Sequence, residues 1–364
     1  FSLIMQNNQA IPFNKENFRQ ILSKEFALVI VISVPGALIA DYFNVPLAWF
    51  LGPMLVTSLA SLLGIKIKMP RLVLSTILIF LGLYIGNYVD KNLFSQIHHW
   101  AWTSLIMLFY IVISVLLVSK YLQNFSGYGK KTSIFSAAPG ALGPLLILAE
   151  DEKSDLSRVA TSHLIRLIII ITVFPFIVNS FYDTENIQIV DEIIKEQNIY
   201  DLLILIVIST VLIIIFDKFK IPAPLLAGTL IASGFLQITE IASYRFPPNI
   251  IDFCLLILGS SVGCRFADKT FDEIAKNALH SFVATFFLVL LGLIAAFIAG
   301  LVIEKNFFTL LLSYCPGGIY EVAVIAIFFD LDPEFVSFHH IIRLLMILFI
   351  VPIILKIMNK KRPT

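Results

Sequence analysis

Charge is scarce in this chain. Of its 364 residues only 14% are charged while 58% are hydrophobic, and the mean hydropathy is +0.91. So few polar side chains cannot cover a water-soluble surface, which excludes a large soluble domain and marks an integral membrane protein. The longest polar stretches are residues 6–20 and the acidic linker from Asp183 to Tyr200. Basic clusters are missing as well. With a net charge of +1, and only Lys360, Lys361 and Arg362 standing together, the chain has no surface for tracking phosphates, so nucleic acid is excluded as a partner. Three cysteines, Cys254, Cys264 and Cys315, lack metal-type spacing and read as small buried hydrophobes. The six histidines show no paired spacing that would assemble copper, iron or zinc from one element. No nucleophile elbow, phosphate loop or dinucleotide fingerprint follows a strand. The expectation is therefore a non-enzyme without metal or cofactor. The polar opening does not read as a signal peptide.

What the chain does have, it has twice. Ser136-Ala137-Ala138-Pro139-Gly140-Ala141-Leu142 returns 177 residues later as Ser313-Tyr314-Cys315-Pro316-Gly317-Gly318-Ile319. Asp155, Val159, His163, Arg166 and Pro175 return in the same register as Asp332, Val336, His340, Arg343 and Pro352. Gly82 and Gly86 answer to Gly259 and Gly263; Asp41, Pro46 and Gly52 answer to Asp217, Pro222 and Gly228 one residue short of that offset. Loose glycine and proline matches arise by chance, but charged residues repeating at fixed spacing inside apolar runs do not. A duplicated unit with charge and helix breakers at matching places is a ground plan of secondary transporters.

The apolar runs divide each half into six segments, 24–40, 45–64, 71–89, 100–122, 132–149 and 156–182, then 200–216, 221–239, 248–264, 278–303, 307–329 and 335–358. The domains expected are a first membrane repeat over 24–182, an acidic linker over 183–199 and a second repeat over 200–358. Two matched stretches, Asp90 to Phe94 and Asp268 to Asp272, read as amphipathic pieces on the membrane surface. The fifth segment of each half has a Pro-Gly step well inside it, which frees backbone groups at membrane depth and is tolerated only around a cavity or inside protein. It is either a broken crossing helix or a hairpin that enters and returns. If each fifth segment returns, each half crosses five times, the second half is inverted, and only Lys91, Lys195, Arg245 and Lys305 fall outside the positive-inside face. Letting all twelve cross spreads the positive charge more evenly. The fold class expected is all-α: a polytopic helical membrane protein, two homologous halves as an inverted repeat, about ten crossings plus two Pro-Gly elements, both termini cytoplasmic.

Asp155, Val159, His163 and Arg166 follow at steps of four, four and three and so share one helix face, as do their copies. Charge inside a membrane helix normally faces a partner or a watery path. One reading makes Arg166, Arg343, His163 and His340, with Ser136, Pro139, Gly140, Pro316, Gly317 and Gly318, a site for a small anionic solute. The other makes each Arg a tie for carbonyls freed by the Pro-Gly break. Ser313, Tyr314 and Tyr320 could add hydroxyl ligands, or simply pack. Glu321 breaks the symmetry, since Pro144 stands at its first-half position, and a lone buried carboxylate needs a proton, a cation or an Arg. Glu321 is thus the leading group for coupling to a proton or sodium ion, ahead of Asp155 and Asp332. Its bland reading is a salt bridge to Arg166 or Arg343. His98 and His99 beside Trp100 and Trp102, and likewise His280 and His339, read as residues near helix ends.

Val45-Pro46-Leu47-Ala48-Trp49-Phe50-Leu51-Gly52-Pro53, Ser136 to Leu142, and Pro316-Gly317-Gly318-Ile319-Tyr320-Glu321-Val322-Ala323, with the His-x-x-Arg that follows, resemble the AbrB family of bacterial membrane proteins. The resemblance runs from about Phe26 to Lys356. The first copy departs from the motif, because Pro139-Gly140-Ala141 lacks the second glycine and the acid. The family is also catalogued as an ammonia monooxygenase and as a transition-state regulator. An oxygenase would need a metal site that is not visible, and a DNA-binding regulator would need a basic soluble domain. The resemblance therefore implies a multi-pass protein of the bacterial inner membrane, with a transporter reading first, a membrane sensor acting indirectly on gene expression second, and a membrane enzyme last. The partners expected are a small solute, a proton or sodium ion and the lipid bilayer; a homodimer is compatible with the chain.

Overall fold

The apolar runs fold as helices. The computed structural model describes residues 15–89, 93–182, 198–221, 223–242, 244, 246 and 248–360. Asp90, Lys91, Asn92, residues 6–14, Lys195 and the rest of 183–197, Pro222, Arg245, Lys361 and Arg362 lie outside the described residues, as do the side chains of His98, His99 and Lys360. The first half forms α1 (Lys15–Ile21), α2 (Lys24–Tyr42), α3 (Ala48–Leu62), α4 (Arg71–Gly86), α5 (Leu93–Phe125), α6 (Lys130–Ala137), α7 (Leu142–Asp151) and α8 (Leu156–Phe181). The second half forms α9 (Ile199–Lys218), α10 (Pro224–Ile238), α11 (Pro248–Cys264), α12 (Phe271–Gly300), α13 (Phe307–Tyr314), α14 (Ile319–Phe328) and α15 (Pro333–Lys360). Among the described residues there is no strand.

Six of these helices are long and apolar enough to cross a membrane: α2, α5 from Trp100, α8, α9, α12, and α15 as far as Met358. The shorter α3, α4, α10 and α11 are apolar too. Polar side chains set several starts. Ser23, Asp155, Asn198 and Asn306 each accept a backbone N–H of the helix they precede, meeting donors that a helix start leaves unpaired. Leu47 and Ala223, at matching places before α3 and α10, both adopt left-handed backbone, with φ of 55° and 52°.

The chain forms two compact units, and neither is a sequence half. One takes α1–α4 and α9–α11; the other takes α5–α8, α12, α13, α14 to Ala326, and α15. In the first unit the duplicated glycines explain the exchange. Gly82 and Gly86 of α4 lie against Leu226, Thr229 and Ser233 of α10, while Gly259 and Gly263 of α11 lie against Phe50, Thr57 and Ser58 of α3. Each half's third apolar segment thus packs on the other half's second. Missing side chains let the backbones close, and hydroxyls then bond across: Ser233 donates to the Leu83 carbonyl at 2.9 Å and Ser61 to the Gly263 carbonyl at 3.0 Å.

Valine at Gly82 should be costly, because its Cβ would stand 2.7 Å from the Leu226 carbonyl oxygen, a backbone atom that cannot step aside. A loss of at least about 1–3 kcal/mol is expected for this overpacking. Gly143→Ala in α7 is the control, since nothing lies within 4 Å of its added methyl. Thermal unfolding in detergent should separate the two; equal midpoints would contradict the packing.

Of the two amphipathic stretches, Leu93 and Phe94 open α5 and Phe271 and Asp272 open α12, while Asp90, Lys91 and Asn92 lie outside the described residues.

Candidate functional site at two broken helices

Both fifth segments return. Lys131, at the start of α6, places its Nζ 2.5 Å from Glu152 Oε2, just past the end of α7, and Thr132 Oγ1 accepts the Asp155 N–H at 3.1 Å. In the second half Thr309 Oγ1 donates to Asp332 at 3.2 Å, and Lys305 Nζ meets Asp332 Oδ1 at 2.7 Å. Threonines at matching positions therefore close both hairpins. The first opens at the N-terminal end of α8, which Asp155 caps. The second opens at the other end of α8, where the Tyr182 ring stands 5.9 Å from Phe308. With α8 26 residues long, about 39 Å, the hairpins enter from opposite ends and their tips converge.

The tips are held by the paired His and Arg. Arg166 donates from Nη1 to the Ala138 carbonyl at 2.6 Å and from Nη2 to the Ser136 carbonyl at 2.5 Å. Arg343 donates to the Cys315 carbonyl, to the Gly317 carbonyl at 2.7 Å and to His340 Nδ1 at 3.1 Å. His163 Nε2 and His340 Nε2 each lie 2.9 Å from a carbonyl, of Phe135 and Leu312, earlier in each segment. All four side chains are buried. Carbonyls released at Pro139 and Pro316 are thus taken up by guanidinium and imidazole donors, which helix geometry alone could not supply.

The two breaks also meet each other. A Cβ on Gly140 would sit 3.1 Å from Arg343 Nη2, so the first break lies against the second half's guanidinium. Arg166 and Arg343 are within electrostatic range of one another and of Tyr110. Two donors stay open: Ser136 Oγ and Arg166 Nε are buried without a partner among the described residues. Two neighbouring cations with a spare donor suit an anion.

The breaks differ in backbone. The first turns through left-handed residues, Gly140 at φ 112° and Ala141 at φ 61°. At the second, neither glycine has positive φ; instead a Cβ on Gly318 would overlap the Glu321 carboxylate. Glu321 lies buried in the first turn of α14, where the helix dipole favours an anion. The second glycine and the acid of Pro-Gly-Gly-x-x-Glu therefore belong together, since one makes room for the other.

Asp155 and Asp332 lie elsewhere. Asp155 is eleven residues before Arg166, about 16 Å along the helix, and pairs with Arg158 at 3.3 Å. Asp332 pairs with Lys305 at the mouth of the second hairpin. Ser136, Pro139, Gly140, His163, Arg166, Pro316, Gly317, Gly318, His340 and Arg343 all belong to one compact unit, the one carrying both breaks. His339, in the second turn of α15, is fully buried, with Nε2 2.8 Å from Thr103 Oγ1. Its first-half counterpart is Ser162, so the repeat gave no signal for it.

A family model described as "Transition state regulatory protein AbrB" matches residues 2–86 and 49–359. The chain belongs to the AbrB family. Its relatives include "Uncharacterized protein YhjN" of Bacillus subtilis, 22% identical over 358 residues, covering 89% of this chain and 90% of that one. Another is "Putative regulator AbrB" of Escherichia coli, 22% identical over 324 residues, covering 88% of this chain and 92% of that one. No solved structure matches. Membership of the AbrB family agrees with an all-helical, duplicated membrane protein.

Proposed function

We propose that this AbrB-family chain is a secondary transporter of a small anionic solute in the bacterial cytoplasmic membrane, coupled to a proton or cation and catalysing no reaction. The observation that carries the reading is the meeting of two oppositely entering hairpins at buried guanidinium groups. Broken backbone at membrane depth suits a path for a polar solute, and the cations give that path its sign. Arg166, Arg343, His163, His340, Ser136 and the two Pro-Gly steps would line it. Glu321 is a buried acid of the same unit, and we assign it the coupling cation if that ion is sodium. The return of both hairpins supports five crossings per half, an inverted repeat and cytoplasmic termini.

The test is flux into proteoliposomes holding the purified full chain, with radiolabelled acetate, lactate, succinate and citrate under a pH or a sodium gradient. Saturable uptake that collapses with the gradient is the expected result. The name of the Escherichia coli relative, "Putative regulator AbrB", favours a second reading, a membrane sensor. Saturable binding without flux would select it.

A further inference from the structure

Three imidazoles are buried in the unit that carries the breaks, and their hydrogen bonds assign them different chemistry. A carbonyl only accepts, so a ring nitrogen facing one must carry hydrogen. His163 Nε2 and His340 Nε2 face carbonyls. At His340 the other nitrogen, Nδ1, faces Arg343 Nη2, and a guanidinium has only donors. Nδ1 must then offer a lone pair, so His340 is held neutral. A second proton there would set N–H against N–H.

His339 is built otherwise. Its Nδ1 lies 2.9 Å from the Phe335 carbonyl and so carries hydrogen. Its Nε2 faces a hydroxyl, Thr103 Oγ1, which is also 3.0 Å from the Trp100 carbonyl. A hydroxyl has one hydrogen and two lone pairs. With the ring neutral, Thr103 donates to Nε2. With the ring charged, Nε2–H donates to Thr103 and the threonine hydrogen turns to the Trp100 carbonyl. Both states have a hydrogen bond at each ring nitrogen on the same heavy atoms, so one proton can be added or removed without rebuilding the site. The ring stands among aromatic groups that accommodate a cation, with Phe335 at 4.1 Å, Phe338 at 5.3 Å and Trp100 at 6.3 Å between centroids.

The titratable and charged groups around it come from two elements. From α13 it meets Tyr314, whose ring is 6.3 Å away. On α15 itself it has His340 beside it and Arg343 one turn on, with Lys305 reaching the Phe335 ring at 5.8 Å. From α5 the described side chains that touch it are Trp100 and Thr103. The link to the second break is direct, because Tyr314 Oη donates to the Thr103 carbonyl at 2.6 Å and Tyr314 is the residue before Cys315-Pro316.

The geometry points to His339 as the proton carrier of this unit, taking one proton at Nε2 while the Thr103 hydroxyl turns its hydrogen to the Trp100 carbonyl, and meeting the second break through Tyr314. This rests on the transporter reading for its purpose, and it narrows the coupling ion to the proton. Because Ser162 stands at the first-half position, the carrier is single and the repeat is asymmetric in chemistry.

The site can be tested without knowing the solute. The full chain, labelled with 15N-histidine in lipid nanodiscs, is followed by NMR between about pH 8 and about pH 5, with the His339 resonances identified by their loss in H339Q. Nε2 of His339 should pass reversibly from acceptor to N–H, while His340 keeps one neutral tautomer. A His339 that holds a single protonation state across the range overturns the proposal, whatever the transport result. In proteoliposomes with a pH gradient and no sodium, H339Q should lose at least about tenfold of lactate or succinate accumulation and retain exchange at equilibrium. Accumulation at the wild-type level in H339Q also overturns it. If the wild type moves none of the probe anions, the transporter reading fails, and the NMR result alone decides whether His339 is a proton site.

Discussion

Replacing Arg343 by leucine is expected to cost the fold as well as the charge. Its guanidinium holds the carbonyls of Cys315 and Gly317, and each hydrogen bond to a charged group contributes about 1.5–3 kcal/mol. Losing two, with both carbonyls then unpaired at membrane depth, takes a large share of the roughly 5–15 kcal/mol that keeps a domain folded. Arg166→Leu should behave alike, since it frees the carbonyls of Ser136 and Ala138. Lysine is the informative contrast. It keeps the positive charge and reaches one carbonyl, yet cannot span two as the planar fork does. R166K and R343K should therefore fold with lowered unfolding midpoints, whereas the leucine variants should be recovered poorly or as aggregate on size-exclusion chromatography. Wild-type midpoints for both leucine variants would show that neither guanidinium ties the break.

Gly318→Ala and Ala141→Gly occupy matching positions and should shift stability in opposite directions. The methyl of the first would overlap the Glu321 carboxylate, so α14 must tilt or the acid must leave the helix start. A loss of about 2 kcal/mol or more is expected, as for overpacking in a tight core. Shortening the acid should restore much of it, making G318A/E321A more stable than G318A. At the first break the strain is in the backbone. Ala141 holds φ at 61°, a conformation that costs a residue with a Cβ about 1–2 kcal/mol, so glycine there should raise the midpoint. Thermal unfolding of the four proteins decides both points. A neutral G318A would mean that Glu321 does not need the space the second glycine leaves.

Much of this was legible in the sequence because it was written in breakers and repeats. Pro139-Gly140 and Pro316-Gly317 announce lost helical hydrogen bonds, and the scarcity of Lys and Arg in the proposed outer loops announces that the segments turn back. What the residues could not announce is which donors take up the freed carbonyls. That depends on Arg166 standing opposite Ser136, 30 positions earlier in the chain, a contact with no local pattern. The arginines tie the breaks, and the two guanidinium groups that do so lie within electrostatic range of one another. Asp155 shares a helix face with Arg166, but at the helix start it serves as a cap. Face-sharing fixes direction and says nothing of depth. His339 was out of reach for the opposite reason, since its first-half counterpart is a serine and a search by repetition passes over it.

The exchange of partners in the first unit has a consequence for how the protein is made. Gly82 and Gly86 on α4 are finished early in synthesis, but the helix that covers them, α10, begins only at Pro224. At about 5–20 residues per second, a ribosome takes several to about thirty seconds to cover that distance. During that interval a small-residue face built for close backbone contact stands open to lipid or to any other helix of the translocation machinery. Neither half has its partner until the other exists, so a truncated or stalled chain should present the membrane's quality control with an unmatched groove, and the first half has no self-sufficient state in which to wait.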